Sequence, residues 1–340
     1  MTRSERTGAS MLKIGKLDSD LLEEIVFKNI RFKRPEVLTR PGIGCDCAVI
    51  DFGSYECVVS TDPITAAVSQ IGRLAVHISC NDIASNGVAP FGIMLCVMLP
   101  FGTTEEEIDE MMRQAGETSA ALGVEIIGGH TEITSAVKQP VIVSTAIGRA
   151  PAGSSQSAEN MKPGDFIYLT KWAGLEGTGI LASDFKDRLT GILSADELNE
   201  AKSLLDMVSV VTEGVAAGKI GTSGMHDVTE GGVLGAVWEM CRISGTGAEI
   251  QEDRIPILKV TEKICKAVSI DPLRLISSGC MMIVISPGRE EALKRALSDC
   301  GVKASCIGMV REAAFGIKLK KRDGMEEIMP PESDELYRAL

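Results

Sequence analysis

Residues 93–129, IMLCVMLPFGTTEEEIDEMMRQAGETSAALGVEIIGG, decide the fold class of this chain. The apolar run 93–99 has the length of a buried strand and is ended by a proline. The segment 103–107, TTEEE, holds two overlapping capping boxes and predicts the start of a helix. Helical spacing continues to Gly123, a typical stop. Residues 124–127, VEII, predict a second strand, which runs into two glycines. A strand, a helix and a strand follow one another, which is typical of an α/β protein.

The same alternation continues on both sides of this stretch. Residues 57–148 alternate between strand and helix patterns and predict an N-terminal α/β domain over 11–150. Residues 151–164, PAGSSQSAENMKPG, are small, polar and broken by prolines, so they predict a linker. The pattern then restarts and predicts a second α/β domain over 165–340. Residues 1–10 are polar and unpatterned, and we expect a disordered tail there.

Composition narrows the class of protein and the class of partner. The 340 residues carry a net charge of −12 and 44% hydrophobic residues, without a long basic block, which argues against a nucleic-acid partner. No apolar run is long enough to span a membrane, and the first residues do not read as a signal peptide. Ten cysteines without a CxxC pair are typical of a reducing cytoplasm. An acidic protein that binds a nucleotide needs a metal ion to offset the charge of the phosphates.

Four segments place acidic or polar residues beside glycine or proline at the ends of predicted strands and helices. Mg²⁺ prefers hard oxygen ligands and is usually held by one or two carboxylates together with substrate phosphates. Asp46, Asp62 and Asp82 are therefore the candidate metal ligands. The four segments are PGIGCDCAVI (41–50), STDPIT (60–65), SCNDIASNGVAP (79–90) and GGHTE (128–132).

Backbone amides beside glycine can approach phosphate closely, which makes Asn81 and the amides of Gly128 and Gly129 candidate phosphate donors. Each feature also has a simpler interpretation, because Asp before Pro usually marks a turn and Asn-Asp near a helix end usually marks a cap. The sequence contains no Walker A motif, kinase glycine loop or dinucleotide fingerprint. The residues alone thus predict an acidic α/β protein with polar strand ends.

The order of these segments, followed by DVTEGGVL at 227–234, resembles the aminoimidazole ribonucleotide synthetase (PurM-like) superfamily. That superfamily includes thiamine-monophosphate kinase, selenophosphate synthetase and the hydrogenase maturation protein HypE. The resemblance spans about residues 14–320. TDPIT and NDIASNG look most like the HypE branch.

The resemblance implies an α/β (α+β type) fold with two PurM-like domains, in which the N-terminal domains of a homodimer join their sheets into a barrel. It implies ATP and Mg²⁺ as cofactors, in a cleft between the domains. It also implies roles for particular residues: Asp46, Asp62 and Asp82 in metal binding, Asn81, Gly128, Gly129, Thr131 and Asp227 in nucleotide binding, and Asp82 and His130 in catalysis.

Several residues depart from the family pattern. Cys45 stands where many relatives carry an acidic residue, and His130 stands where many carry aspartate. Two interpretations of His130 have equal weight: it acts as an acid, a base or a hydrogen-bond donor to phosphate, or it is only a polar loop residue. HypE carries its substrate on a terminal cysteine, whereas the last cysteine here is Cys306 and the sequence ends DELYRAL. Three cysteines flank the predicted site, namely Cys45, Cys47 and Cys80. One interpretation is that they bind a soft metal or include a reactive thiol. The simpler interpretation is that they replace small residues such as alanine.

The first hypothesis is therefore a HypE-like, ATP-dependent, Mg²⁺-requiring enzyme that phosphorylates an amide, carbonyl or small-molecule oxygen. Its substrate is a small molecule or a protein-bound group, and a maturation partner protein is possible. The alternatives are a small-metabolite kinase similar to thiamine-monophosphate kinase and a nucleotide-binding regulator without turnover.

Overall fold

The computed structural model describes residues 15–65, 69–331 and 333–339. Two mixed α/β units follow one another along the chain, each built on its own sheet. This arrangement confirms the predicted fold class of two α/β domains. The tail predicted at 1–10 lies outside the described residues. Within the described ranges, no helix is both long enough and apolar enough to cross a membrane.

The N-terminal sheet has six strands in the order β1-β2-β3-β6-β4-β5. Neighbours are antiparallel except β4 and β5, which are parallel. A helix connects these two strands, as the stretch 93–129 predicts. The strands are β1 (Val37–Thr39), β2 (Ala48–Asp51), β3 (Tyr55–Ile64), β4 (Pro90–Leu99), β5 (Glu125–Ile133) and β6 (Val141–Pro151).

Two long helices cover one face of this sheet, after a short helical turn, α1 (Ser19–Leu21), near the N-terminus. The helix between the parallel strands, α3 (Glu105–Leu122), uses the second of the two overlapping capping boxes, Thr104 with Glu107. The other helix, α2 (Ile71–Ser85), is buried along almost its whole length, including its polar residues. A helix that is buried on every side must pack against both domains, and its polar side chains must find partners there.

Strand β3 extends further than the sequence suggests. The pattern predicts that the strand ends at Asp62-Pro63, but it continues to Ile64, and Pro63 lies opposite Val143 of β6. Proline is tolerated because β2 pairs with β3 only up to Val59, and beyond this point no strand among the described residues lies on that side of β3. Asp62 therefore lies in a strand and not in a turn.

The C-terminal sheet has seven strands in the order β13-β12-β9-β11-β7-β10-β8. Its strands are β7 (Phe166–Thr170), β8 (Gly224–Asp227), β9 (Gly247–Gln251), β10 (Met281–Ile285), β11 (Ala304–Arg311), β12 (Ile317–Lys321) and β13 (Gly324–Glu327). Its helices are α4 (Leu175–Asp184), α5 (Ala195–Ser203), α6 (Val211–Ile220), α7 (Gly232–Ser244), α8 (Lys259–Val268), α9 (Glu290–Asp299) and α10 (Glu335–Ala339).

The two domains meet where α2 packs on α6. Small residues allow the close approach, since a Cβ on Gly214 would lie 2.6 Å from the carbonyl oxygen of Ala84. The segment between the sheets joins this contact, because the Gln156 side chain donates to the carbonyl oxygen of Gly218 at 2.6 Å. The interface fixes α2 against the second domain and sets the position of Asp82 relative to strand β8.

The C-terminal segment braces two loops of the second domain. Asp334, which is buried, accepts hydrogen bonds from the backbone N–H of Gly231 at 2.7 Å and of Ile276 at 3.1 Å. The hydroxyl of Tyr337 donates to Glu230 at 3.2 Å. These bonds hold the glycine turn that begins α7, directly after the DVTEGG segment.

Candidate metal and phosphate site

Four aspartates from four elements converge at the junction of the two domains. Asp46 precedes β2, Asp62 lies on β3, Asp82 on α2 and Asp227 at the end of β8. The hydroxyl oxygen of Ser60 lies 2.5 Å from Oδ2 of Asp82, 3.0 Å from the backbone carbonyl oxygen of Asp46 and 3.5 Å from Oδ2 of Asp62. One serine hydroxyl thus connects the three segments that the sequence predicts as metal-binding.

The carboxylates raise one another's pKa. Burial raises the pKa of Asp82 well above its usual range, and the charges of Asp227 and Asp62 raise it further. Burial, followed by the charge of Asp46, raises the pKa of Asp227 to about 7. Buried like charges at this spacing are unfavourable unless a proton or a cation lies among them. The arrangement is therefore suited to a divalent metal ion.

Unpartnered atoms support the same conclusion. Asp227 is fully buried, and neither oxygen of its carboxylate has a hydrogen-bond partner. A buried carboxylate without partners is costly, and a metal ion offsets that cost. Ligand atoms of Asp46, His226 and Asp227 all lie within 4.8 Å of one another. These residues fit a bound divalent cation.

His226 connects the aspartates to a second buried carboxylate. Its Nε2 atom lies 3.5 Å from Oδ2 of Asp46 and 3.2 Å from Oε2 of Glu239. Burial lowers the pKa of His226, but the charges of Asp46 and Glu239 outweigh it and raise the pKa to about 10. Burial raises the pKa of Glu239, but Lys16 and His226 outweigh it and lower the pKa to about 2. Without a metal, a proton on His226 offsets part of the negative charge here.

Three residues of the site, His226, Glu239 and Lys16, were not predicted from the sequence. His226 had a signal, since it directly precedes Asp227 in the motif HDVTEGG. Glu239 lies on α7, and its only signal was a polar residue on an otherwise apolar helix. Lys16 had none, because its Nζ atom reaches Glu239, at 3.9 Å, only through the tertiary fold.

Asn81, predicted as a phosphate donor, has other partners in this structure. Its side-chain N–H donates to the carbonyl oxygen of Val208 at 2.8 Å, and its Oδ1 accepts from the backbone N–H of Val210 at 2.8 Å. The side chain is fully buried. Asn81 therefore joins α2 to the second domain.

The other predicted phosphate residues lie on β5. This strand is at the edge of the sheet, and Gly128, Gly129, His130 and Thr131 are all exposed. Nε2 of His130 lies 3.2 Å from Oε2 of Glu132. Within the described chain, no hydrogen bond or ion pair joins these residues to the four aspartates. Gly129 has a structural reason for its identity, since a Cβ there would lie 1.9 Å from the carbonyl oxygen of a residue on β4.

The three cysteines near the site are held as thiols. Burial raises the pKa of Cys45 to about 11 and of Cys80 to about 12, and raises that of Cys47 well above its usual range. The nucleophilic and metal-binding form of cysteine is the thiolate, which these surroundings disfavour. The geometry thus favours the simpler interpretation, in which these cysteines replace small residues.

A cleft of about 260 Å³ opens beside the aspartates. It lies between the N-terminal segment, the loop before β2 and the start of α7. Asp46 is common to the cleft and to the aspartate cluster. Charged residues line part of the cleft, including Lys16, Glu230, Glu239 and Asp334. The cleft can bring a small group to the aspartate cluster.

Comparison with known families agrees with this architecture. The N-terminal domain of AIR synthase-related proteins matches residues 44–150, and the C-terminal domain of the same proteins matches residues 162–320. The chain belongs to the AIR synthase-related protein family. This confirms the family resemblance on which the ordered aspartate and glycine segments were interpreted.

Curated relatives of this AIR synthase-related protein carry hydrogenase maturation names. A putative hydrogenase expression/formation protein, MJ0676 of Methanocaldococcus jannaschii, is 28% identical over 339 residues, covering 95% of this chain and 96% of the relative. Carbamoyl dehydratase HypE of Escherichia coli K12 is 25% identical over 282 residues, covering 82% of this chain and 81% of the relative. The predicted likeness to the HypE branch is thereby confirmed.

Solved structures share the fold over nearly the whole chain. The HypE–HypF complex gives a TM-score of 0.74 at 20% identity, covering 92% of this chain and 99% of that one. HypE in complex with ATP gives a TM-score of 0.68 at 20% identity, covering 97% and 98%. AaThiL complexed with AMPPCP and TMP gives 0.73 at 15% identity, covering 95% and 99%.

Proposed function

We propose that the chain is an ATP-dependent, Mg²⁺-requiring enzyme of the HypE type, which activates an amide, carbonyl or small-molecule oxygen by phosphorylation. The observation that carries this proposal is the convergence of three aspartates of the first domain on Asp227 of the second, whose two carboxylate oxygens have no hydrogen-bond partner. Relatives named carbamoyl dehydratase HypE and the ATP complex of HypE support the choice of reaction and nucleotide.

The proposed metal-binding residues come from both domains. Bound Mg²⁺ neutralises charge on the phosphates, which is most of what phosphoryl transfer requires of an enzyme. Asp46, Asp62 and Asp82 hold the metal from the first domain, and the hydroxyl of Ser60 orients the carboxylate of Asp82. Asp227 faces them from the second domain and would add a carboxylate to the residues that hold the metal.

The remaining predicted residues complete this proposal. Gly128, Gly129 and Thr131 offer backbone and hydroxyl donors to phosphate from the exposed strand β5, and His130 donates a hydrogen bond or exchanges a proton there. Asn81 acts indirectly, by fixing α2 and hence Asp82 against the second domain. Asp82 is proposed both as a metal ligand and as the group that would accept a proton near the reacting oxygen.

A homodimer is part of the proposal, and the N-terminal sheet supports it. Strand β5 is an edge strand of nine residues, and edge strands of that length are normally covered. Four large apolar side chains lie exposed on β5 and its neighbour β4, namely Phe91, Met94, Ile127 and Ile133. Pairing of two such sheets covers the edge and these side chains together.

The proposed substrate is a small molecule or a group carried by a partner protein. The cleft of about 260 Å³ beside Asp46 has the size of a small polar group. The HypE–HypF complex supports a maturation partner for this chain too. The ten free cysteines support a reducing cytoplasm as the compartment.

Mg²⁺-dependent release of phosphate from γ-labelled ATP, measured with candidate carbamoyl, amide and phosphorylated metabolite substrates, tests the proposal. Asp82→Asn should lower the rate by at least about a hundredfold, the scale seen when a transition-state charge partner is removed. Asp109→Asn, on the exposed face of α3, is the matched control and should keep the wild-type rate. Equal rates in the two variants would refute the role of Asp82.

The fate of the label separates the candidate functions. Free phosphate together with a dehydrated product identifies the HypE-type reaction. Label in a stable product identifies a small-metabolite kinase, which the fold shared with AaThiL supports as the second candidate. Tight ATP binding by calorimetry without turnover on any substrate identifies a regulator.

A further inference from the structure

His226 is held in the orientation of a metal ligand. It lies on β8 with its ring buried, and its Nδ1 atom lies 2.6 Å from the backbone carbonyl oxygen of Asp227. A carbonyl oxygen only accepts, so Nδ1 carries a proton and donates. Metal-binding histidines characteristically donate one ring N–H to a carbonyl or carboxylate and turn the other nitrogen to the metal.

The other ring nitrogen has no hydrogen bond. Nε2 of His226 is buried without a hydrogen-bond partner, as are both carboxylate oxygens of Asp227. The ligand atoms of these two residues and of Asp46 lie within 4.8 Å of one another. A divalent cation among these ligand atoms would give the Asp227 carboxylate and Nε2 of His226 a common partner, and it would replace the proton that His226 holds in the metal-free state.

We propose that Asp46, His226 and Asp227 form a divalent metal site of one nitrogen and two carboxylates, which prefers an imidazole-accepting first-row ion to Mg²⁺. Imidazole is a suitable ligand for the first-row transition ions, whereas Mg²⁺ takes oxygen ligands almost exclusively. Asp62 and Asp82, which offer oxygen only, remain suited to Mg²⁺. The two halves of the aspartate cluster therefore differ in chemistry.

The position of Glu239 bears on the alternative explanation, in which His226 is a protonated ion-pair partner and not a metal ligand. A buried imidazolium between Asp46 and Glu239 would account for the ion-pair distances of 3.5 and 3.2 Å without a metal. Such a pair normally makes a charge-assisted hydrogen bond, but Nε2, although 3.2 Å from Oε2 of Glu239, is not aligned for a well-formed hydrogen bond with either carboxylate. Glu239 also has Lys16 as a second cation, with Nζ at 3.9 Å, so it does not depend on His226 alone.

This inference rests on the proposed function only for the use of Asp46 as a metal ligand, and it is tested without nucleotide or turnover. Metal-free protein is loaded with one equivalent of Mn²⁺ in a buffer without nitrogen. Electron spin-echo envelope modulation then detects a directly bound ¹⁴N nucleus. The chain has three histidines, so His77→Gln and His130→Gln are matched controls for His226→Gln.

We expect ¹⁴N modulation in the wild type and in both control variants, and its loss in His226→Gln. We also expect His226→Gln to bind Mn²⁺ at least about tenfold more weakly, with Mg²⁺ affinity nearly unchanged. Bound Mn²⁺ without ¹⁴N modulation in the wild type overturns the inference and leaves the carboxylate site standing. Modulation that persists in His226→Gln overturns it as well, whereas failure to bind any divalent ion refutes both proposals. Should His226→Gln not fold, the wild-type spectrum alone decides.

Discussion

Replacing Asp227 with asparagine should stabilise the metal-free protein at neutral pH, although it removes a proposed ligand. The carboxylate is fully buried, neither oxygen has a hydrogen-bond partner, and its pKa is raised from 3.8 to about 7. A shift of about three pKa units corresponds to about 4 kcal/mol of lost stability above pH 7. Asparagine removes the charge and keeps the shape. The buried amide costs about 1–3 kcal/mol, so the net gain should be about 1–3 kcal/mol.

The pH dependence has a definite sign. A pKa raised in the folded state means that the folded protein binds the proton more tightly, so stability is greatest below the unfolded pKa of 3.8 and falls as pH rises to about 7. Asp46 and Asp82 are shifted in the same direction. His226 adds stability below pH 6.5 that is lost as pH rises through about 10. The metal-free protein should thus be more stable at pH 5.5 than at pH 8.

Urea unfolding in EDTA at pH 5.5 and pH 8, followed by circular dichroism, measures both effects. Asp227→Asn should flatten the pH dependence and raise the free energy of unfolding at pH 8, and Asp253→Asn, at an exposed position, should do neither. Added Mn²⁺ or Mg²⁺ should stabilise the wild type more than Asp227→Asn. A variant that is less stable than the wild type at pH 8 in EDTA would show that the carboxylate is not an uncompensated charge.

Three further changes probe the framework around the site. Asn81→Ala leaves two buried backbone groups of the second domain without a partner, and it should lower the free energy of unfolding by about 2–5 kcal/mol in urea titrations. Asn160→Ala, at an exposed position, is the control and should change that free energy by less than about 0.5 kcal/mol. Asp334→Ala removes the acceptor of backbone N–H bonds and should speed proteolytic cleavage of the C-terminal segment; an unchanged cleavage rate would contradict the brace. Ile127→Glu should convert the proposed dimer to a monomer in light scattering, and a dimer that survives the charge would exclude β5 as its interface.

Local sequence determined the start of the helix between β4 and β5. Thr104 and Glu107 form the capping box that begins α3, as the TTEEE segment predicts, because such a cap depends only on residues three apart. The end of β3 was predicted wrongly, since whether Pro63 is tolerated depends on which strand lies beside it. Burial of α2 on all sides likewise depends on the second domain.

The sequence by itself determined the family, the two-domain α/β fold and the order of the aspartates, because these follow from patterns along the chain. Only the tertiary structure decided how those aspartates work together. The hydroxyl of Ser60 contacts three of the aspartate segments, and Asp227 and His226 have buried atoms without hydrogen-bond partners. The side chain of Asn81 binds across the interface between the domains. The physical reason is that burial and like charge, which make a lone aspartate into part of a metal site, exist only once residues far apart in the chain are packed together.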